Sequence, residues 1–181
     1  MTREDLHIVL KGCRIGDRLS QKRLYRQFYN YSMGVCARYA RSDEEAEEMV
    51  NDAFIRVFSK IDLYDARMSF PGWLHTILIR SAINYLKRFE RQPLTVDLSA
   101  AQDKALDEDI LDQLSAQEIL IMVRKLPPSY RATFNLYVVE GYKHNEIAEA
   151  LNITEGTSRS NLMLARQKLK ELALNAYKIR L

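Results

Sequence analysis

The 181-residue sequence is poor in residues that interrupt or cross-link a chain. It has six glycines, four prolines and two cysteines, and no stretch alternates Val, Ile or Thr with polar residues as a strand would. Cys13 and Cys36 are too few for a disulfide framework and lack metal-site spacing, which favours a reduced cytoplasmic setting. No apolar run reaches the roughly 18 residues of a membrane helix. Charged Arg3, Glu4 and Asp5 stand where a signal peptide would become apolar, so neither secretion nor membrane insertion is expected.

Signatures of catalysis are also missing. The sequence contains no phosphate-binding loop, no cluster of metal ligands and no nucleophile triad. Its three histidines, His7, His75 and His144, are scattered and are interpreted as structural or surface residues. We therefore expect no enzymatic activity, metal ion, cofactor or small-molecule substrate.

Helical periodicity is what the sequence does have. Apolar residues make up 47% of the chain and recur at intervals of three and four, which predicts an all-α protein. In the first half the pattern predicts helices over residues 2–14, 18–41, 42–60 and 73–91. Ser42 followed by Glu45 predicts a capping box at the start of the third helix. Together these four helices form a first domain, residues 1–92.

An acidic segment separates two apolar regions of the chain. Residues 97–118 carry seven acids against the single base Lys104, and residues 93–113 lack aromatic side chains. This composition predicts a flexible acidic linker over residues 93–113 and a second small helical domain over residues 114–181.

The second domain has the layout of a helix-turn-helix. Helices are predicted over residues 115–126, 129–140 and 143–151, with Ser129 capping the second. Asn152 and Ile153 form the turn, and Thr154 caps a last helix rich in Arg and Lys. In this motif the last helix lies in the DNA major groove.

One face of the last helix carries the predicted DNA contacts. The stripe Ser158, Leu162, Ala165 and Leu169 is expected to pack inward. Arg159 is the candidate for base readout because Arg bonds guanine bidentately; a contact only to phosphate is the alternative. The full set of predicted DNA-binding residues is Thr157, Ser158, Arg159, Ser160, Met163, Arg166 and Lys168.

The sequence resembles a bacterial RNA polymerase sigma factor of the extracytoplasmic-function group. The second domain carries Leu126-Pro127, Arg131, Glu140-Gly141, Glu146-Ile147-Ala148, Gly156-Thr157 and the closing segment LARQKL at 164–169. In the first domain, AEEMVNDAFIRVF at 46–58 resembles the polymerase-binding segment. FPGWLHTILIRSAINYLKR at 70–88 resembles the segment that opens and reads the minus-ten promoter element. The resemblance implies a specificity subunit with two DNA-contacting domains.

The resemblance assigns roles to residues of the first domain. It implies core-polymerase binding by Glu48, Asn51, Asp52 and Arg56, a face that otherwise reads as solvated surface. It implies minus-ten DNA binding by Phe70, Arg80, Asn84, Lys87, Arg88 and Arg91. The 65–72 loop with Phe70 resembles the segment that captures a flipped base, while Trp73 is expected in the core.

The resemblance also implies partners: core RNA polymerase, promoter DNA and an anti-sigma factor. The family often has Asn at position 80, Asp at position 84 and Val at position 158, so Arg80, Asn84 and Ser158 leave the promoter sequence open. Two other functions stay open as alternatives. One is a dimeric helix-turn-helix regulator that binds an operator, and the other is a polymerase-docking adaptor without DNA specificity.

Overall fold

A computed structural model describes residues 2–89 and 115–180, and within these ranges every regular element is helical. The chain divides into two compact units, Met1–Tyr85 and Leu86–Leu181. The prediction of an all-α protein with two small helical domains is confirmed. The predicted linker and the predicted domain limits at residues 92 and 114 lie outside the described residues.

The N-terminal unit contains three helices and most of a fourth, whose last turn extends beyond Tyr85. They are α1 (Arg3–Arg14), α2 (Arg18–Cys36), α3 (Asp43–Ser59) and α4 (Phe70–Phe89), with a 3-10 turn at Ile61–Leu63. The N-cap of α1 is Thr2, which forms a capping box with Asp5. Asp17 caps α2 by accepting from the Leu19 and Ser20 amides. The helices predicted from sequence are therefore present, although α2 ends at Cys36 instead of residue 41.

The start of α3 shows how local chemistry sets a helix end. The Ser42 hydroxyl accepts from the Glu45 amide, as predicted. The Glu45 carboxylate does not complete the capping box, because it accepts instead from the backbone N–H and the Nε of Arg41, both at 2.8 Å. The cap therefore also fixes the residue that precedes it.

Helix α4 begins three residues earlier than the sequence pattern predicts. The Trp73 amide donates to the Ser69 carbonyl, so Phe70, Pro71 and Gly72 form the first helical turn. Proline is tolerated there because the first amides of a helix have no intrahelical acceptor. In the sequence alone, the pair Pro71-Gly72 favours a loop, because proline and glycine usually interrupt regular structure.

The core of the N-terminal unit consists of apolar stripes from these helices. Helix α3 buries Ala46, Met49, Val50, Ala53, Phe54 and Val57, which recur at helical spacing, and leaves Phe58 half-buried. Helix α4 buries Leu74, Leu78, Ala82 and Leu86, and leaves Ile77 half-buried. Helix α2 meets α4 through the Phe28–Phe70 ring contact, with 5.0 Å between centroids. These contacts leave one face of α3 and one of α4 for function.

The C-terminal unit packs three short helices against a long one. They are α5 (Ala116–Arg124), α6 (Pro128–Phe134), α7 (His144–Leu151) and α8 (Glu155–Arg180). Helix α8 contacts each of the other three. A π-helical turn, Asn135–Val139, extends α6.

The ends of these helices correct one expectation. Ser129 does not cap α6, because the helix begins at Pro128 and its N-cap position is Pro127. The predicted turn between α7 and α8 is present: Asn152 is left-handed (φ 58°) and the Thr154 hydroxyl accepts from the Thr157 amide. An asparagine tolerates this conformation, so the chain can turn within three residues and complete the helix-turn-helix.

Candidate polymerase and nucleic-acid interfaces

The predicted polymerase-binding residues form a stripe along α3. Glu48 and Asn51 are exposed, and Asp52 and Arg56 are half-buried. Their spacing of three and four residues places all four on one side of the helix. Ile55 lies beside them with 67% of its side chain exposed, a feature that the polar pattern concealed. The stripe is thus a mixed polar and apolar surface.

Tyrosines from neighbouring helices hold two of these side chains. Tyr25 of α2 donates its hydroxyl to the Asn51 Oδ1 at 2.9 Å. Tyr85 of α4 donates to Glu48, and burial together with that bond raises the pKa of Tyr85 to about 12. Because both partners sit on packed helices, Glu48 and Asn51 are held in place.

The predicted minus-ten residues of α4 also share one face. Arg80, Asn84, Lys87 and Arg88 are all exposed and are spaced four, three and one residues apart. Half-buried Trp73 and Ile77 continue the same stripe toward the helix N-terminus. Arg91 lies outside the described residues. The stripe is cationic at one end and aromatic at the other.

A pocket of about 260 Å³ opens where this stripe meets α3. Its apolar walls are Leu63, Trp73 and Ile77, and the lining also includes Arg56, Lys60, Thr76 and Arg80. No carboxylate lines it. Within the described part of the chain, Arg56, Lys60 and Arg80 form no ion pair with a carboxylate. The pocket combines an aromatic wall with uncompensated positive charge.

Phe70 does not line this pocket. Its ring is 1% exposed and contacts Phe28, Tyr64 and Trp73, the last with 5.8 Å between centroids. The ring is therefore unavailable for stacking on a base in this structure, because core packing covers it. Trp73, which was expected in the core, is half-buried and lines the pocket. The sequence did contain a signal for this, since Trp73, Ile77 and Arg80 recur at helical spacing.

The loop before α4 is held by its own hydrogen bonds. The Tyr64 hydroxyl donates to the Met68 carbonyl at 2.6 Å, and the Arg67 guanidinium binds the Asp65 carboxylate at 2.7 Å. The Asp65 pKa is lowered by these Arg67 hydrogen bonds. From α1, Arg14 donates to the Tyr64 carbonyl at 3.0 Å. These hydrogen bonds fix the loop that leads into α4 and Trp73.

The predicted DNA face of α8 is mostly open to solvent. Arg159, Met163, Arg166 and Lys168 are exposed, and Thr157 and Ser160 are partly so. Arg159 forms an ion pair with Glu155 at 2.9 Å, and Lys168 forms one with Glu171 at 3.0 Å.

Position along the helix separates these residues. Lys168 lies thirteen residues beyond Glu155, a distance of about 20 Å along a helix. A helix-turn-helix reads bases with its first turns, so the position of Arg159 suits base contact and that of Lys168 suits phosphate.

Ser158 is an exception among the predicted DNA contacts. Its side chain is fully buried, and its hydroxyl lies 2.9 Å from the Nδ1 of His144. The hydroxyl thus faces α7 and does not reach DNA in this structure. The other prediction for this residue, that it packs inward with Leu162 and Ala165, is confirmed.

No group of three or more His, Cys, Asp or Glu side chains is arranged to hold a metal ion in residues 2–89 and 115–180. In the same ranges no helix combines the length and apolar character needed to cross a membrane.

Comparison with protein families finds two matches in the order of the two units. The model of sigma-70 region 2 matches residues 24–92, and the model of sigma-70 region 4 matches residues 110–169. Together they span well over half of the sequence.

Curated proteins with similar sequences carry related names. The ECF RNA polymerase sigma factor SigE of Mycolicibacterium smegmatis is 28% identical over 153 residues, which cover 82% of this chain and 59% of that protein. The ECF RNA polymerase sigma factor SigW of Bacillus subtilis is 28% identical over 149 residues, covering 76% of this chain and 80% of SigW. The chain therefore spans less than two thirds of SigE but most of SigW.

Among solved structures, the sigma factor RpoE of Bartonella quintana, crystallised with the anti-sigma factor NepR, aligns with a TM-score of 0.46 and 20% identity. The alignment covers 83% of this chain and 94% of that one.

Proposed function

Because the chain belongs to the sigma-70 family, and within it to the extracytoplasmic-function group of sigma factors, we propose a division of labour between its two units. The α3 stripe binds core RNA polymerase. The α4 stripe and its pocket hold the opened minus-ten strand. The exposed face of α8 reads the minus-thirty-five element. The observation that carries the proposal is the cation-lined pocket between α3 and α4.

The chemistry of the pocket supports capture of an unpaired nucleotide. A nucleotide presents a flat ring and a negative phosphate. Trp73 offers an aromatic surface for the ring, and base–aromatic stacking stabilises single-stranded binding by about 1–3 kcal/mol per base. Arg80 and Lys60 offer charge to the phosphate. Because Phe70 and Tyr64 support Trp73 from beneath, this wall is rigid before DNA arrives.

The α3 stripe supports docking on a protein partner. Exposed Ile55 supplies an apolar centre, and Asn51 and Asp52 supply polar groups beside it. Protein interfaces combine apolar centres with polar rims in this way. Tyr25 and Tyr85 fix Asn51 and Glu48, which lowers the entropy lost when the partner binds.

The remaining parts of the proposal concern partners and place of action. The chain supplies recognition and no chemistry of its own, so it is not an enzyme. It acts in the cytoplasm, where core polymerase is. An anti-sigma factor inhibits it by binding one of these surfaces, as the family resemblance implies.

In vitro transcription with core polymerase tests the proposal. The template is DNA recovered by sequencing the fragments that the holoenzyme binds in cells. We expect initiation at one start site only when the chain is added, and weak binding of the free chain to the same duplex. Equal initiation with and without the chain contradicts the proposal. Tight operator binding by the free chain favours a dimeric regulator instead.

Substitutions separate the three surfaces. Asp52→Lys is expected to abolish association with core polymerase. Arg80→Ala is expected to preserve association but to reduce strand opening, measured by permanganate reactivity of unpaired thymines, because it removes a cation that contacts phosphate. Arg159→Ala is expected to weaken only the minus-thirty-five contact. Arg26→Ala on exposed α2 is the charge-matched control, and a loss of opening equal to that of Arg80→Ala contradicts the assignment of the pocket.

A further inference from the structure

His144 occupies a special place in the helix-turn-helix. It is the first residue of α7, and its Nδ1 lies 2.9 Å from the Ser158 hydroxyl in the first turns of α8. The other side of the imidazole stacks on the Tyr137 ring, with 4.6 Å between centroids and 23° between planes. The ring is thus clamped between the π-helical turn and α8. Among the described residues, this side-chain bond joins the two helices of the motif.

The Ser158 hydroxyl on α8 needs the hydrogen bond with His144. Ser158 is fully buried, and a buried hydroxyl that loses its partner retains the cost of its desolvation. His144 is only half-buried, so its ring can turn to solvent while the Ser158 hydroxyl cannot. The position of α8 relative to α7 therefore depends on His144 staying in place.

Ser158 lies between residues that face outward. Thr157 precedes it and Arg159 follows it, and both belong to the face proposed to meet DNA. A rotation of α8 that brought Ser158 toward another partner would carry Arg159 around the helix axis by the same angle. Base contacts tolerate little of this, because bidentate bonding requires both distance and direction.

We propose that His144 is a positioning residue for minus-thirty-five recognition, holding the first turns of α8 through Ser158. The inference rests on the proposed function of α8. His144 acts through Ser158 and touches no DNA itself.

The charges around His144 add a pH dependence. Arg159 and Arg166 of α8 and, with opposite sign, Glu155 face the ring, while Tyr137 stacks on it and Glu146 of its own helix accepts from the Lys143 amide. Burial is the largest cause that lowers the pKa of His144 below its ordinary 6.5, followed by the repulsion of Arg159.

The sign of the dependence follows from that direction. Above pH 6.5 the ring is neutral in both the folded and the unfolded chain, so the stabilisation by the clamp is complete. As pH falls through the lowered pKa, the unfolded chain takes up the proton first, and the clamp loses stability. Minus-thirty-five recognition should weaken over the same window.

The test compares wild type with two variants as full-length chains in holoenzyme. They are His144→Phe and the double change that adds Ser158→Val. The probe is the promoter duplex chosen by the wild-type holoenzyme, with its minus-thirty-five element intact or scrambled. The ratio of the dissociation constant for the scrambled element to that for the intact element, measured at pH 7.5 and 5.5, isolates the contribution of α8. The unfolding of each free variant is measured in parallel.

We expect His144→Phe to reduce this ratio by about ten-fold, because it leaves the Ser158 hydroxyl buried without its partner. The double change removes both polar groups, so the ratio should recover to within about three-fold of wild type and lose its pH dependence. His7→Asn, a change at an exposed histidine of the other unit, should keep the wild-type ratio and pH profile.

Two results would overturn the inference. The first is a ratio unchanged by His144→Phe while the variant unfolds more easily, which makes the bond structural only. The second is a double variant that shows the wild-type pH profile. Failure of the proposed function is distinguishable, because it appears in wild type as a ratio of one before any variant is made.

Discussion

The two units solve the problem of holding a binding face in different ways. Among the described residues, and apart from its buried tyrosines, the N-terminal unit buries Ser32 and Ser81 as polar side chains. The C-terminal unit is smaller in its described part and buries five, namely Arg131, Thr133, Asn135, Ser158 and Asn161. The core of the C-terminal unit is therefore richer in buried polar side chains than the core of the N-terminal unit.

The difference matters for what each face does. Apolar packing is non-directional, and it suffices to carry a pocket and a docking surface on which Tyr25 and Tyr85 hold Asn51 and Glu48. Hydrogen bonds have strict angles, so a polar core fixes the rotation of α8 as well as its distance. We infer that the unit proposed to read base edges needs that rotational control more than the unit proposed to hold an opened strand.

The largest effect is expected from a cavity in the apolar core. Leu78 of α4 is fully buried, so Leu78→Ala should destabilise the N-terminal unit by about 2–5 kcal/mol, the usual range for a buried leucine. The measurement is denaturant unfolding of the full chain followed by hydrogen exchange, which assigns the loss to α1–α4. The C-terminal unit should keep its protection.

Ile55→Ala is the matched control for this cavity. It removes a comparable aliphatic side chain from a position that is 67% exposed, so the free energy of unfolding should change by no more than about 0.5 kcal/mol. A similar loss from both substitutions would mean that the N-terminal unit does not depend on packing in the way proposed here.

The apolar core is also the part that the sequence predicts well. Stripes such as Ala46, Met49, Val50 and Ala53 repeat at helical spacing, and burial follows from the period alone. The starts of α4 and α6 are predicted too late, because Pro71 and Pro128 each lie in a first helical turn. Here the free amides of the helix start make proline acceptable, and a period count does not contain that information.

The candidate sites were predictable only in part. Exposed Arg80, Asn84 and Arg159 follow from helix faces and from the family resemblance. The pocket does not, because it depends on where α3 and α4 lie beside each other, which no local pattern encodes. Ser158 was assigned both to the core and to DNA, and only its partner His144, fourteen residues away, decides between them.

A smaller effect is expected from the polar core. The Nη1 of buried Arg131 donates to the Arg124 carbonyl, at the end of α5, at 2.9 Å. Arg131→Met keeps much of the volume but removes this donor, so the C-terminal unit should lose about 1–3 kcal/mol of stability. Hydrogen exchange in α5–α8 measures it. Arg166→Met, at an exposed site, is the control and should lose about 0.5 kcal/mol or less.

The opposite outcome has a clear meaning. Buried charges in other proteins can be replaced by apolar residues with a gain in stability. If Arg131→Met makes the C-terminal unit more stable, directed bonds are not what stabilises it, and their role is limited to fixing the orientation of α8.

The two units should also respond to opposite ends of the pH scale. Burial raises the pKa of Cys13 to about 11 and that of Cys36 to about 12, from an ordinary 9.0. Above pH 9 the unfolded chain releases these protons first, so the N-terminal unit loses up to about 1.4 kcal/mol per pH unit for Cys36. His144 makes the C-terminal unit lose stability below pH 6.5.

Unfolding at pH 5.5, 7.5 and 10, followed by hydrogen exchange, resolves the two responses. Cys36→Ala should reduce the alkaline loss in α1–α4, and His144→Phe should remove the acid dependence in α7 and α8. Parallel pH profiles for both units, unaffected by these substitutions, would show that the local groups named here do not control them.

The smallest expected effect concerns the Arg159–Glu155 ion pair, which spans 2.9 Å with side chains 60% and 47% exposed. Exposed pairs of this kind stabilise a protein by about 0.2–1 kcal/mol. On DNA the same carboxylate competes for the guanidinium and repels phosphate. Glu155→Gln should therefore raise holoenzyme affinity for an intact minus-thirty-five element by roughly two- to five-fold.

The measurement is the dissociation constant at two salt concentrations, with Glu171→Gln as control. Glu171 pairs with Lys168 on the same helix, but it lies about 24 Å further along, so its removal should change the affinity less. If Glu155→Gln instead weakens binding, the carboxylate is not a competitor. It then holds Arg159 ready for the base, and directed bonding extends from the core of the C-terminal unit to its surface, which makes the contrast with the N-terminal unit larger.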